Sequence, residues 1–143
     1  MKVFPILVLV FVAIGVHSAS WADSGKSGRS GRAGYVQKDP IFRDRCGIYD
    51  RSGRMRVYTE QDPLLRDRVD IYGRKGRQEG YVEKDLLLQN RWNLYDRDGR
   101  KEGYIVQDSI TEDRRNLYDR SGRRKGYLEE DHLFKDRVNI YRD

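Results

Sequence analysis

The chain has 143 residues, enough for one domain. Charged residues make up 36% of it and hydrophobic ones 37%, with 29 basic side chains against 23 acidic ones and a formal net charge of +6. The one cysteine, Cys46, excludes an internal disulfide framework.

The first 22 residues read as a secretion signal. Lys2 is followed by the apolar run "VFPILVLVFVAIGV" (Val3 to Val16) and then by the small-residue site "SWA" at Ser20 to Ala22. The run has 14 residues and contains Pro5, whereas a membrane span needs about 20. Cleavage after Ala22 is expected, leaving no transmembrane segment and an exported protein, periplasmic or extracellular. No cysteine lies near that site, which argues against a lipid-modified N-terminus. Lys2 is the only charged side chain in the leader, so its removal takes the charge from +6 to +5. Hydrophobic content falls to about 31%, close to that of a disordered chain. Order therefore has to be argued from pattern.

Residues 23–33, "DSGKSGRSGRA", read as a Gly/Ser-rich tether, or else as a degenerate turn, since Gly31-Arg32 resembles Gly53-Arg54.

From residue 34 to residue 143 the chain repeats. Tyr35, Tyr58, Tyr81, Tyr104 and Tyr127 are spaced by 23, and so are Tyr49, Tyr72, Tyr95, Tyr118 and Tyr141. Arg45, Arg68, Arg91, Arg114 and Arg137 keep the same step, as do Asp39, Asp62, Asp85, Asp108 and Asp131. Four registers with one period mark a repeat architecture.

Each unit starts with an outgoing strand such as "RWNLYD" (Arg91 to Asp96). A turn follows: "DRSG" at Asp50–Gly53, "DRDG" at Asp96–Gly99, "DRSG" at Asp119–Gly122. Asp at the first place and Gly at the fourth predict a type I turn closed by a glycine at positive φ, which is a three-residue hairpin loop with a bulge. A return strand such as "RKEGYIV" completes the hairpin. Successive residues of a strand face opposite ways. One face can therefore build a central core from Ile48, Ile71, Leu94, Leu117 and Ile140, while the other packs the tyrosines between hairpins. Sequence does not say which face is which.

The links between hairpins are "DPIFRDR", "DPLLRDR", "DLLLQNR", "DSITEDR" and "DHLFKDR". An Asp followed in two of them by Pro predicts a capped helical turn, too short to extend. Ile41, Leu64, Leu87, Ile110 and Leu133 are expected to turn inward and plug gaps between the petals. Helical periodicity is absent from the mature chain, so the fold class is all-β.

The repeat region opens with a return strand, "GYVQ", and ends with an outgoing one, "VNIYRD". If these two pair, the fifth hairpin is completed from the two ends and five 23-residue units close into a shallow barrel with no free edge. The alternative is an open, self-assembling solenoid, which needs polar caps; the last residues instead follow the consensus up to Tyr141.

Tandem "IYD-x-x-G-x-x-x-GY" hairpins over residues 34–143 resemble the β-flower repeat proteins. That resemblance implies radially arranged hairpins in a shallow barrel and an exported bacterial protein without assigned activity. It carries over no catalytic residue. The Asp-Pro-Leu-Leu links are longer than those of the simplest flowers.

No cofactor or catalytic residue emerges from the pattern, and the chain is read as a non-enzyme. His132, the only histidine beyond the leader, sits in a link slot held elsewhere by Pro40, Pro63, Leu86 and Ser109. The acids Asp44, Asp67, Asp113 and Asp136 recur as a ring, with Asn90 in the fifth place, and suit capping and pairing with the adjacent arginines better than a split-pKa pair. A small envelope hydrolase remains the minor alternative. "DRDG" at Asp96 is short of calcium ligands, and its sister turns place arginines inside the loop. Cys46 shares its slot with Val69, Trp92, Arg115 and Val138, so a half-exposed thiol is expected, with a disulfide-linked dimer as the alternative to a monomer.

Arg54, Arg77, Arg100 and Arg123 follow the turn glycine, and Arg51, Arg74, Arg97 and Arg120 precede it by two. A basic rim of Arg54, Arg77, Arg100 and Arg123 is thus the candidate binding site, suited to an acidic glycan, lipopolysaccharide or another polyanion. Tyrosines held in strands do not favour base stacking, so no specific nucleic acid is expected. The bland reading is that charged tips keep a β-protein soluble.

Overall fold

A computed structural model describes residues 31–143. The leader (1–22) and residues 23–30 of the expected tether lie outside the described residues. Ten strands follow one another: β1 (Gly31–Lys38), β2 (Arg45–Asp50), β3 (Met55–Gln61), β4 (Arg68–Gly73), β5 (Gln78–Lys84), β6 (Arg91–Asp96), β7 (Lys101–Gln107), β8 (Arg114–Asp119), β9 (Arg124–Glu130) and β10 (Arg137–Arg142). Each pairs antiparallel with its sequence neighbours, and β10 pairs with β1, so the sheet is a closed barrel. Closure excludes the open solenoid. Gly31, Arg32 and Ala33 belong to β1 rather than to a tether: Gly31 faces Arg142 and Arg32 faces Tyr141. A strand partner on β10 overrides the flexible composition of those three residues.

The hairpin turns form as their residues dictate. The Asp50 Oδ1 accepts hydrogen bonds from the amides of Ser52 (2.9 Å) and Arg54 (3.0 Å) and from the Ser52 hydroxyl (2.8 Å). The Gly53 amide donates to the Asp50 carbonyl at 3.0 Å. Gly53, Gly76, Gly99 and Gly122 hold φ of 76 to 82°, which side-chain-bearing residues rarely adopt. Each turn is followed by a one-residue register shift, as between Ile48 and Tyr49 opposite Val57 and Met55.

Strand alternation sorts the side chains. Ile48, Ile71, Leu94, Leu117 and Ile140 lie directly across from Val36, Thr59, Val82, Ile105 and Leu128. All ten are buried, most of them completely, and form two interleaved belts inside the barrel. Burying each aliphatic member stabilises the fold by roughly 1.5–3 kcal/mol. Toward the hairpin turns, glycines let the wall close in: a Cβ on Gly34, Gly80 or Gly126 would collide with the carbonyl oxygen of Tyr49, Tyr95 or Tyr141. Toward the links, Cys46, Val69 and Val138 are buried, with Trp92 packed against them. Cys46 is thus an interior residue, 6% exposed, and not the half-exposed thiol expected. Burial pushes its pKa up to about 12. Its burial argues against the disulfide considered above.

The tyrosines take the outer face. Five stacked pairs, Tyr35–Tyr49 through Tyr127–Tyr141, have centroids 4.8 to 5.3 Å apart. An arginine lies over one ring of each pair: Arg137 over Tyr35, Arg45 over Tyr58, Arg68 over Tyr81, Arg91 over Tyr104 and Arg114 over Tyr127, at 3.8 to 4.4 Å. An Arg–Tyr–Tyr girdle therefore runs round the barrel. The β1–β10 seam repeats it in full. Arg137 also donates twice to the Gln37 Oε1 (3.0 and 3.1 Å), and the Lys38 amide donates to the Asp136 carbonyl at 3.1 Å.

Candidate functional site

The meander places all hairpin turns at one end of the barrel and all links at the other. The two ends differ in chemistry.

At the turn end, Asp50, Asp119 and Asp143 are engaged by neighbouring groups, while Glu79 and Asp98 are exposed. The Asp50 side chain caps its own turn and pairs with Arg56 at 2.8 Å, and Asp119 caps the fourth turn with Lys125 at 3.5 Å. Burial raises the Asp50 pKa. The Arg54 amide, the Ser52 hydroxyl and the Arg56 guanidinium outweigh it and hold the carboxyl at about 2. Arg124 is bound by Asp143 at 2.9 and 3.0 Å, and Arg51 donates to the Arg32 carbonyl at 2.7 Å. Arg54, Arg77, Arg100 and Arg123 are exposed, and among the described residues their side chains have no hydrogen-bond or ion-pair partner. Arg74, Lys75, Arg97 and Arg120 stand beside them, also exposed. The expected rim residues are therefore together at one end, as an arc rather than a ring. One period before Arg54 comes Gly31, and one period after Arg120 comes Asp143, so the seam interrupts the arc.

At the link end, the loops are tied by aspartates and carry exposed apolar side chains among charged ones. The Oδ1 atoms of Asp39, Asp62, Asp85, Asp108 and Asp131 each accept from the amides two and three residues on, at 2.8 to 3.1 Å. These bonds hold the Asp39 carboxyl below its ordinary pKa, and at Asp85 an Asn93 amide adds to them and brings it to about 2. The capping expected at this step is present, without a helix. Ile41, Leu64, Leu87, Ile110 and Leu133 do not turn inward; they are 78 to 91% exposed. The reason is volume: the two belts already fill the interior. Among the described residues Asp44, Asp67 and Asp136 do not pair with Arg45, Arg68 and Arg137, which follow them and bind Glu60, Asp62 with Asp70, and Gln37 instead. Asp113 lies 3.6 Å from the exposed His132.

At the link end, a groove is lined by Asp44, Glu60, Gln61, Asp62, Pro63, Arg66 and Tyr72. Among the described residues no group of three or more His, Cys, Asp and Glu side chains is placed to hold a metal ion, and no helix is long and apolar enough to cross a membrane.

Sequence reasoning found the cationic arc, because turn chemistry fixes where those arginines go. It missed the exposed apolar loops. Their signal was present: the in-register apolar pairs Val36–Ile48 and Val82–Leu94 already supply a full interior. Comparison with family models, with curated proteins and with solved structures gave no match.

Proposed function

We propose that the chain is an exported, non-catalytic binding module of β-flower type that works at the cell envelope and holds an acidic glycan, lipopolysaccharide or similar polyanion against Arg54, Arg77, Arg100 and Arg123. The observation that carries this reading is that, among the described residues, these four guanidiniums have no side-chain partner, on an end of the barrel where Asp50 and Asp119 are engaged in turns and the exposed acids Glu79 and Asp98 are outnumbered by bases. A surface that only needed charge for solubility would gain from pairing each base locally. Here bases without a partner among the described residues stand on four successive turns, with Arg74, Arg97 and Arg120 beside three of them, against the exposed acids Glu79 and Asp98; the excess raises the local potential and favours a multivalent anion.

The test is retention on heparin. Residues 23–143 should bind at low ionic strength and elute as salt rises past about 0.1–0.2 M, where screening shortens to ~10 Å. The quadruple variant Arg54→Gln, Arg77→Gln, Arg100→Gln, Arg123→Gln should elute far earlier. Retention equal to that of the parent would end the proposal.

A further inference from the structure

Of the large apolar side chains exposed among the described residues, all but Met55 lie on the five links at one end of the barrel. Ile41, Leu64, Leu87, Ile110 and Leu133 stand at the tips, with Phe42, Leu65, Leu88 and Phe134 about half exposed beside them. Leu86 adds a further tip at 97% exposure. Summed over the five links, these side chains present on the order of 1,000 Å² of apolar surface, comparable with the ~800 Å² each partner gives to a standard interface.

The five links of this crown are built alike. They have one length, join strands in one register and are tied by the same Asp bonds. Little loop entropy remains to be lost on docking.

We infer that this crown is an interface for a second copy of the chain, docked link end to link end. Charge chooses this occupant. Three links carry exposed base–acid pairs next to the apolar tip: Arg43–Asp44, Arg66–Asp67 and Lys135–Asp136. A fourth carries Glu112–Asp113. On a face turned against its own copy, an exposed base of a neutral link (Arg43, Arg66 or Lys135) can lie opposite Glu112 and Asp113, and the two-fold repeats that contact reciprocally. An anionic lipid surface would meet three exposed bases, Arg43, Arg66 and Lys135, against five acids, Asp44, Asp67, Glu112, Asp113 and Asp136, and so finds no net positive charge to draw it. Head-to-tail stacking would set apolar tips against the arginine arc, with no apolar surface to receive them. The dimer carries two cationic arcs at opposite poles, so one particle can engage two polyanion chains; the docking itself does not depend on polyanion binding.

The experiment is sedimentation equilibrium on residues 23–143, which include every strand of the barrel, between about 1 and 100 µM, a range that spans micromolar affinities. The expected result is a monomer–dimer equilibrium that stops at two. Leu64→Ser with Leu87→Ser should raise its Kd by roughly a hundredfold or more, since each dimer loses four buried leucines. Leu64→Lys with Leu87→Lys serves as a second pair, with far-UV circular dichroism confirming that the barrel is intact. Arg54→Gln with Arg77→Gln should leave the Kd unchanged. A monomer at 100 µM, or a dimer indifferent to both leucine pairs, would overturn the inference. So would a chain that stays monomeric but partitions onto phosphatidylcholine vesicles through these leucines, which would give the crown to lipid.

Discussion

Leu94 and Leu87 lie in the same repeat and have the same chemistry, yet the barrel gives them opposite surroundings. Leu94 is completely buried in the inner belt, and Leu87 is 90% exposed on a link. Leu94 faces Val82 on β5 and Gly103 on β7. Truncating it to alanine removes three carbons, about 2.4 kcal/mol at ~0.8 per methylene. A cavity is left as well, and Gly103 has no side chain to lean into it. The total for Leu94→Ala comes to about 3–4 kcal/mol, within the range for leucines in rigid cores. Leu87→Ala should change stability by less than about 0.5 kcal/mol in dilute protein. Chemical denaturation read by tyrosine and tryptophan fluorescence measures both, at concentrations where crown docking is negligible. Equal losses from the two substitutions would refute the assignment of the inner face and of the free crown together.

Gly80→Ala should destabilise by about 1–3 kcal/mol, because its Cβ would meet the backbone carbonyl of Tyr95, which cannot move without shifting β6; an unchanged denaturation midpoint would contradict the close approach of the strands. Cys46 should resist iodoacetamide at pH 8 until denaturant is added, since its thiol is buried and its pKa raised to about 12; rapid labelling of the native protein would show that the interior is open. Asp50, Asp85 and Asp108 titrate at about 2 in the fold, against an ordinary 3.8. As pH falls, the unfolded chain therefore takes up these protons first, so the stability they add is complete above about pH 4 and is lost progressively toward pH 2. Denaturation midpoints that stay level from pH 5 to pH 2 would contradict the capping role of these carboxylates.

The repeat made the strands, the turns and the closure legible, because each rests on a local rule with a fixed offset. Asp50 and Gly53 specify a turn whatever surrounds them, and "VNIYRD" lacks a partner unless "GYVQ" supplies one. The position of the arginine arc follows from the turns alone. Legibility ended where volume decides. Ile48 and Leu87 are both apolar residues in a repeating slot, and only the size of the barrel tells which of them is left outside. The same limit hid the boundary at Gly31, whose composition suits a tether but whose neighbour on β10 makes it strand. Which carboxylates bind which arginines was also out of reach, because Asp62 and Glu60 approach the girdle only once adjacent strands are in register.

The most irregular slot has a physical explanation of the same kind. Cys46, Val69, Trp92, Arg115 and Val138 are equivalent by sequence, and the variety suggests that anything is accepted there. All five lie two residues before the inner belt on their strands and so share one layer at the link-end mouth. What the layer constrains is its summed volume, not the identity of any one member. Five tryptophans could not fit, and five valines would leave a gap; Trp92 is large where Cys46, Val69 and Val138 are small. Val69→Trp alone should overpack the mouth, and Trp92→Val alone should leave a void, each costing about 1–3 kcal/mol. The double variant restores the summed volume and should cost clearly less than the two losses added together, a coupling that a double-mutant cycle reads directly. Strict additivity would mean that each strand packs its own mouth residue independently, and that the layer is five separate sites.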